Sequence, residues 1–119
     1  MAAAPADDVL RIGDLEIRTC EGLALASGRA LVLSVREFEL LVALASRSGH
    51  IVRREDLFEL VWQRPLRRGD RSIDVYVHKL RVKLEEALPS WSFIHTHVGF
   101  GYRFSPELSH AFHNRATTA

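Results

Sequence analysis

Seven cations fall between residues 64 and 83. Arg64, Arg67, Arg68, Arg71, Lys79, Arg81 and Lys83 stand against only Asp70 and Asp74, a local charge of +5. The whole 119-residue chain carries +1, and residues 1–21 lean the other way at −3. A cationic stretch in a near-neutral chain is the footprint of a polyanion-binding face, or it is the solvated side of a surface helix. The residues between the cations sharpen the choice. Ile73, Val77, Leu80 and Leu84 recur at helical spacing and form one apolar stripe. The opposite arc holds Arg71, Val75, His78, Lys79 and Val82, flanked by Ser72 and Lys83. Cations neutralise phosphates, and a valine facing a duplex groove meets a thymine methyl. Two surface valines by themselves need no explanation.

Other chemistry is poorly supported. His95 and His97 share one strand face, and His110 and His113 lie close together near the C-terminus, so two pairs can in principle hold zinc. Polar side chains on a strand and in an unpatterned tail are the simpler account, and no metal or cofactor is expected. Cys20 is the single cysteine, which rules out an internal disulfide and a cysteine zinc site. Glu55-Asp56 and Glu85-Glu86 are adjacent on helices, where neighbours point about 100° apart and cannot share one general-acid site. There is no GxSxG, no phosphate-cradling glycine loop and no Cys–His nucleophile pair. An enzyme is not expected.

The elements that must position the cations can be read along the chain. At 47% hydrophobic and 26% charged residues, 119 residues make one ordinary globular domain. No apolar run approaches the ~20 residues of a membrane-spanning helix, and Ala2–Ala4 is too short for a signal-peptide core. These features suit a reducing cytoplasm. Residues 1–9 read as a linker or cloning remnant, 10–105 as the domain and 106–119 as a C-terminal tail. Leu10-Ile12, Leu15-Ile17, Leu23-Leu25 and Ala30-Leu33, separated by Gly-containing turns, predict an antiparallel meander. Ser34 and Glu37 form a capping box. Behind it Phe38, Leu41, Val42 and Ala45 recur at helical spacing, with Gly49 placed to end the helix. A second helix follows Ile51-Val52, with Leu57, Leu60 and Val61 apolar. The third is expected over about 70–87, stopped by Pro89. Phe93 to Val98 alternate, Gly99-Phe100-Gly101 turns, and Tyr102-Arg103-Phe104 returns as a hairpin. Phe38 and Trp62 are expected in the helical core, and Trp91 near the junction of third helix and hairpin. Two helices, a basic third helix and a Gly-turn hairpin make an α+β winged helix-turn-helix.

The segments Leu33–Leu41, Gly49–Leu57, Val61-Trp62, Arg71–Leu84 and Thr96–Phe104, collinear and with matching loop lengths, resemble the OmpR/PhoB family of winged-helix transcription factors. The resemblance covers about residues 10–104. It implies an N-terminal four-stranded antiparallel sheet, a three-helix core and a C-terminal β-hairpin wing, serving as the DNA-binding output domain of a two-component response regulator in a phosphorelay. It also implies that the family's receiver domain lies outside this sequence, with Met1–Val9 resembling the interdomain linker. Carried over by position, Arg71 and Ser72 match phosphate or groove-edge contacts at the helix start. Val75 matches a thymine-methyl contact, and His78, Lys79 and Arg81 match cationic positions, with Lys79 the best base reader. Tyr76, replacing a frequent histidine, and Lys83 complete the helix set. In the wing, Thr96, Tyr102 and Arg103 are available for phosphate contacts, and His97 precedes the turn. Val98 stands where relatives often carry a minor-groove arginine, and protonation of a DNA-facing His97 would strengthen binding below about pH 6.5.

The loop 63–69, with Leu66, Arg67 and Arg68 at its tip, corresponds to a loop that contacts RNA polymerase in the family. The same arginines equally suit phosphate. The resemblance further implies an isolated monomer and a head-to-tail pair on promoter direct repeats. The rival reading is a winged helix used only for protein interaction, which would lack a steep salt dependence of duplex binding.

Overall fold

The computed structural model describes residues 9–108. The meander is present as β1 (Val9–Ile12), β2 (Leu15–Arg18), β3 (Leu23–Ala26) and β4 (Arg29–Ala30), antiparallel in chain order. A 3₁₀ turn, Thr19–Glu21, links β2 to β3. Alternation puts Leu15, Ile17, Ala24 and Ala26 on the buried face. β4 is only two residues long and shares only Ala30 with the apolar run Ala30–Leu33 expected to form it. Leu31 continues the ladder by one bond to Ala24 O at 2.8 Å, and the chain then leaves for the first helix.

Helix α1 (Val35–Ala45) starts at the capping box. The Ser34 hydroxyl accepts from the Glu37 amide at 3.2 Å, and Glu37 Oε1 accepts from the Ser34 amide at 2.8 Å. Gly49 is left-handed at φ 88°, but α1 has ended four residues earlier, and the Gly49 amide donates to Phe104 O at 2.8 Å. Residues Ile51–Arg53 form β5, which leads into α2 (Arg54–Trp62). Its acidic first turn, Glu55 and Asp56, suits the positive end of the helix dipole. Helix α3 (Ser72–Ala87) buries Ile73, Val77, Leu80 and Leu84, the stripe the sequence predicts.

The hairpin is β6 (Trp91–His97) and β7 (Gly101–Leu108), and β7 runs three residues past position 105. With β5 it makes a three-stranded sheet in the order β5-β7-β6, a pairing absent from the sequence reading. A bulge between Ser92 and Ile94 breaks the expected alternation, so the consecutive Phe93 and Ile94 are both buried. Gly101 lies against β5, and any Cβ there would collide with the Val52 carbonyl.

The core fills the space between helices and sheets with Leu40, Leu41, Leu44, Leu57, Phe58 and Phe104 among its fully buried members. Phe38 and Trp62, expected inside, are only partly buried against it, and Leu60 is 44% exposed. Phe58 takes the central position instead and stacks on Trp62 at 4.6 Å. Trp91 does sit at the approach to the hairpin, where it joins the two sheets: its Nε1–H donates to Asp14 Oδ2 at 2.8 Å. Among the described residues no helix is long and apolar enough to cross a membrane.

Candidate nucleic-acid interface

The face of α3 opposite its buried stripe is open. Arg71, Val75, His78, Lys79 and Val82 are all exposed, Val75 at 48% and Val82 at 36%. Arg71 occupies the N-cap position with 79% of its side chain accessible, and its Nη1 stands 4.0 Å from Asp74 Oδ2. Lys79 Nζ lies 5.1 Å from the centroid of the Tyr76 ring, which steadies the ammonium while leaving its donors free. Tyr76 is half-buried, its ring edge-on to Trp62 at 5.5 Å. The face therefore presents one helix-start cation, one mid-helix cation and two apolar contacts in a row.

Several residues grouped with this face by sequence are bound elsewhere. The Ser72 amide and hydroxyl both donate to Asp70 Oδ1, at 2.8 and 2.6 Å, closing the start of α3 and holding the Asp70 carboxyl below its ordinary range. Lys83 points toward α1, with Nζ 2.7 Å from Glu37 Oε1 and 3.1 Å from Val32 O. Burial works against the Glu37 charge. The Lys83 ammonium and the Ser34 amide outweigh it and lower the Glu37 pKa. Lys83 is thus part of the α1 cap rather than of the exposed face.

Arg81 is half-buried between helix and wing. Its Nη2 donates to Thr96 Oγ1 at 2.8 Å, while its Nε is buried with no hydrogen-bond partner among the described residues. Tyr102 is buried at 7% exposure, and its hydroxyl is directed inward to Asp74 Oδ1 at 2.6 Å. Arg54 grips the same carboxylate from α2, Nε to Oδ1 at 2.9 Å and Nη2 to Oδ2 at 2.6 Å. Arg54 and Asp74 escaped the sequence reading as a pair. Their signal was a carboxylate kept inside the cationic stretch 64–83.

In the wing, His97 Nε2 accepts from Arg103 Nε at 3.1 Å. The bond fixes the His97 tautomer with its proton on Nδ1. Arg103 also meets Glu107 at 3.4 Å. Val98 lies beyond the end of β6, in the turn, at 89% exposure, with Phe100 beside it at 71%.

Loop 63–69 does not expose Leu66, which packs against the core. Arg67 and Arg68 are exposed, and with Arg54 and Arg71 they line a cleft at the start of α3. Arg64 lies over the Phe58 ring at 4.8 Å. His95 Nε2 bonds Ser105 O at 2.9 Å, and among the described residues no three His, Cys, Asp or Glu side chains gather as a metal site. His110 and His113 lie outside the described residues.

A three-helix core between two antiparallel sheets, with Arg71 and Lys79 on the open face of the third helix and a hairpin fastened beside it, defines a winged helix-turn-helix domain. Residues 28–104 match the family described as transcriptional regulatory protein, C terminal. The chain belongs to that family, the effector domains of OmpR/PhoB type, which is a family of DNA-binding regulators and not of enzymes. It is 35% identical over 98 residues to the heme response regulator HssR of Staphylococcus epidermidis, covering 82% of this chain and 43% of that protein. The chain thus spans less than half the length of that relative. The DNA-binding domain of Klebsiella pneumoniae RstA, solved in complex with the RstA box, superimposes with a TM-score of 0.75 at 29% identity, over 83% of this chain and 98% of that one. The DNA-binding domain of Escherichia coli CpxR gives 0.74 at 31% identity, over 82% and 95%.

Proposed function

We propose that this domain binds double-stranded DNA in a sequence-specific way, with α3 in the major groove and the hairpin beside the minor groove, as the output module of a two-component response regulator in the cytoplasm. The observation that carries this reading is the open face of α3. Arg71 and Lys79 offer charge to phosphates and base edges, and Val75 and Val82 offer methyl groups, all on the exposed side of the helix. Lys79 reads a base as a point charge, less strict in angle than an arginine fork. Arg71, and Arg67 and Arg68 of the loop, serve phosphates at the helix start. Thr96, already holding Arg81, places that cation beside the backbone.

The loop arginines also suit an acidic patch on RNA polymerase, and two copies would sit head-to-tail on promoter direct repeats, each copy a monomer when free. The deciding experiment selects bound duplexes from a random pool and then measures affinity for the selected site against salt. A slope steepened by several phosphate contacts supports the reading. No enriched sequence together with no salt dependence overturns it in favour of a protein-interaction module.

A further inference from the structure

The most exposed part of the wing is apolar. Val98 and Phe100 flank Gly99 at the hairpin tip with 89% and 71% of their surfaces accessible, and no charged group lies within the turn. The nearest cation on the return strand, Arg103, is engaged by His97 and Glu107.

The tip is also held firmly. Gly99 is left-handed at φ 83°, and the turn is closed by Phe100 N–H donating to His97 O at 2.9 Å. One rung below the turn-closing pair, Thr96 and Tyr102 face each other across the hairpin, and both are tied to α3, through Arg81 and Asp74. β5 presses against Gly101 from the other side. Two apolar side chains are thus carried on a braced support tied to α3 through Arg81 and Asp74. Little ordering is needed when they meet a surface.

Resting on the DNA-binding reading above, we infer that Val98 and Phe100 enter the minor groove as an apolar wedge and select deformable pyrimidine–purine steps beside the major-groove site. A narrow A-tract groove attracts inserted cations, and this tip has none to insert. An apolar wedge is instead favoured where base steps separate easily, because unstacking costs a few kcal/mol per step and is least at TA and CA/TG. The Phe100 ring then gains contact with base faces and sugars. The wing's preference is therefore set by flexibility, not by groove width.

The test uses the full chain and duplexes carrying its selected site, with the wing-side flank built as a TA or CA step, an A-tract or a G/C run. A 2-aminopurine placed at the flanking step reports unstacking. The expected result is about a tenfold preference for the flexible flanks, of the size of one base-pair discrimination, with 2-aminopurine emission rising on binding. Phe100→Ala should abolish both and leave the salt slope unchanged, since no phosphate contact is removed. Because Phe100 is a surface residue, its melting temperature should also stay unchanged. Equal affinity for all flanks, or a Phe100→Ala protein that keeps the preference and the emission change, overturns the wedge. A Phe100→Ala loss confined to duplexes carrying two sites also overturns it and assigns the tip to a neighbouring copy. Failure of the parent chain to bind any duplex would remove the DNA-binding reading itself, whereas normal binding with an indifferent flank removes the wedge alone.

Discussion

The Tyr102 hydroxyl donates to Asp74 Oδ1 at 2.6 Å, joining β7 of the wing to the first turn of α3. Burial first, then the Asp74 carboxylate, pushes the Tyr102 pKa from 10.0 up to about 12. A raised tyrosine pKa stabilises the fold fully below the unfolded value near 10 and ceases to do so as pH climbs through about 12. The fold thus loses on the order of 2–3 kcal/mol as pH climbs from about 10 through about 12, mainly because the buried phenolate is disfavoured. Tyr102→Phe should therefore flatten the loss of melting temperature between pH 10 and 12, at a cost of ~1 kcal/mol at neutral pH. An unchanged alkaline profile in the variant would show that Tyr102 is not the group responsible.

Acid reports on the carboxylates. The Arg54 guanidinium lowers the pKa of Asp74 against the opposing effect of burial, and Glu37 is lowered as well. Depressed carboxylates stabilise above their unfolded values, and the contribution disappears as pH falls through the folded ones. Lys83→Met strips the buried Glu37 of its ammonium and should cost ~1–3 kcal/mol at pH 7. The difference from the parent should shrink as pH falls and Glu37 protonates. Titrating stability by denaturant at several pH values checks this, and the salt slope of DNA binding should be unaffected by the substitution.

Phe58 and Phe38 separate a true core position from a peripheral one. Phe58→Ala opens a fully enclosed site and should cost ~3–5 kcal/mol, whereas Phe38→Ala, at the rim of a shallow groove with Val42 and Leu60, should cost distinctly less. Equal losses in thermal melting would contradict the packing order.

Lys79 and Arg71 should fail differently. Lys79→Ala is expected to lower affinity by ~1–3 kcal/mol and to relax preference at one base position. Arg71→Ala should weaken all sequences alike and lower the salt slope by about one phosphate contact. Sequence selection with each variant distinguishes them, and identical profiles would mean that the two residues share one role.

Val98→Arg introduces a cation into the turn. It should tighten binding and add a preference for A/T pairs next to the major-groove site, because the narrow groove concentrates negative potential. Unchanged affinity and preference would place the wing outside the minor groove.

The sequence by itself determined the elements governed by short-range rules. The stripe Ile73, Val77, Leu80 and Leu84 could be read because helical periodicity alone sends those four side chains to one side. The Ser34–Glu37 box could be read because both partners lie within one turn. The open arc Arg71, Val75, His78, Lys79 and Val82 followed as the complement of the stripe. The individual DNA contacts had no such local rule behind them. Tertiary structure decided which cations and hydroxyls remain available. Lys83 is taken by a carboxylate 46 positions away, Tyr102 by one 28 positions away, and Arg81 by a threonine 15 positions away. It also decided the pairing of β5 with β7 and the bulge that buries Phe93 beside Ile94. The physical reason is that periodicity sets the direction in which a side chain leaves its own element, whereas the partner it meets depends on how distant elements pack.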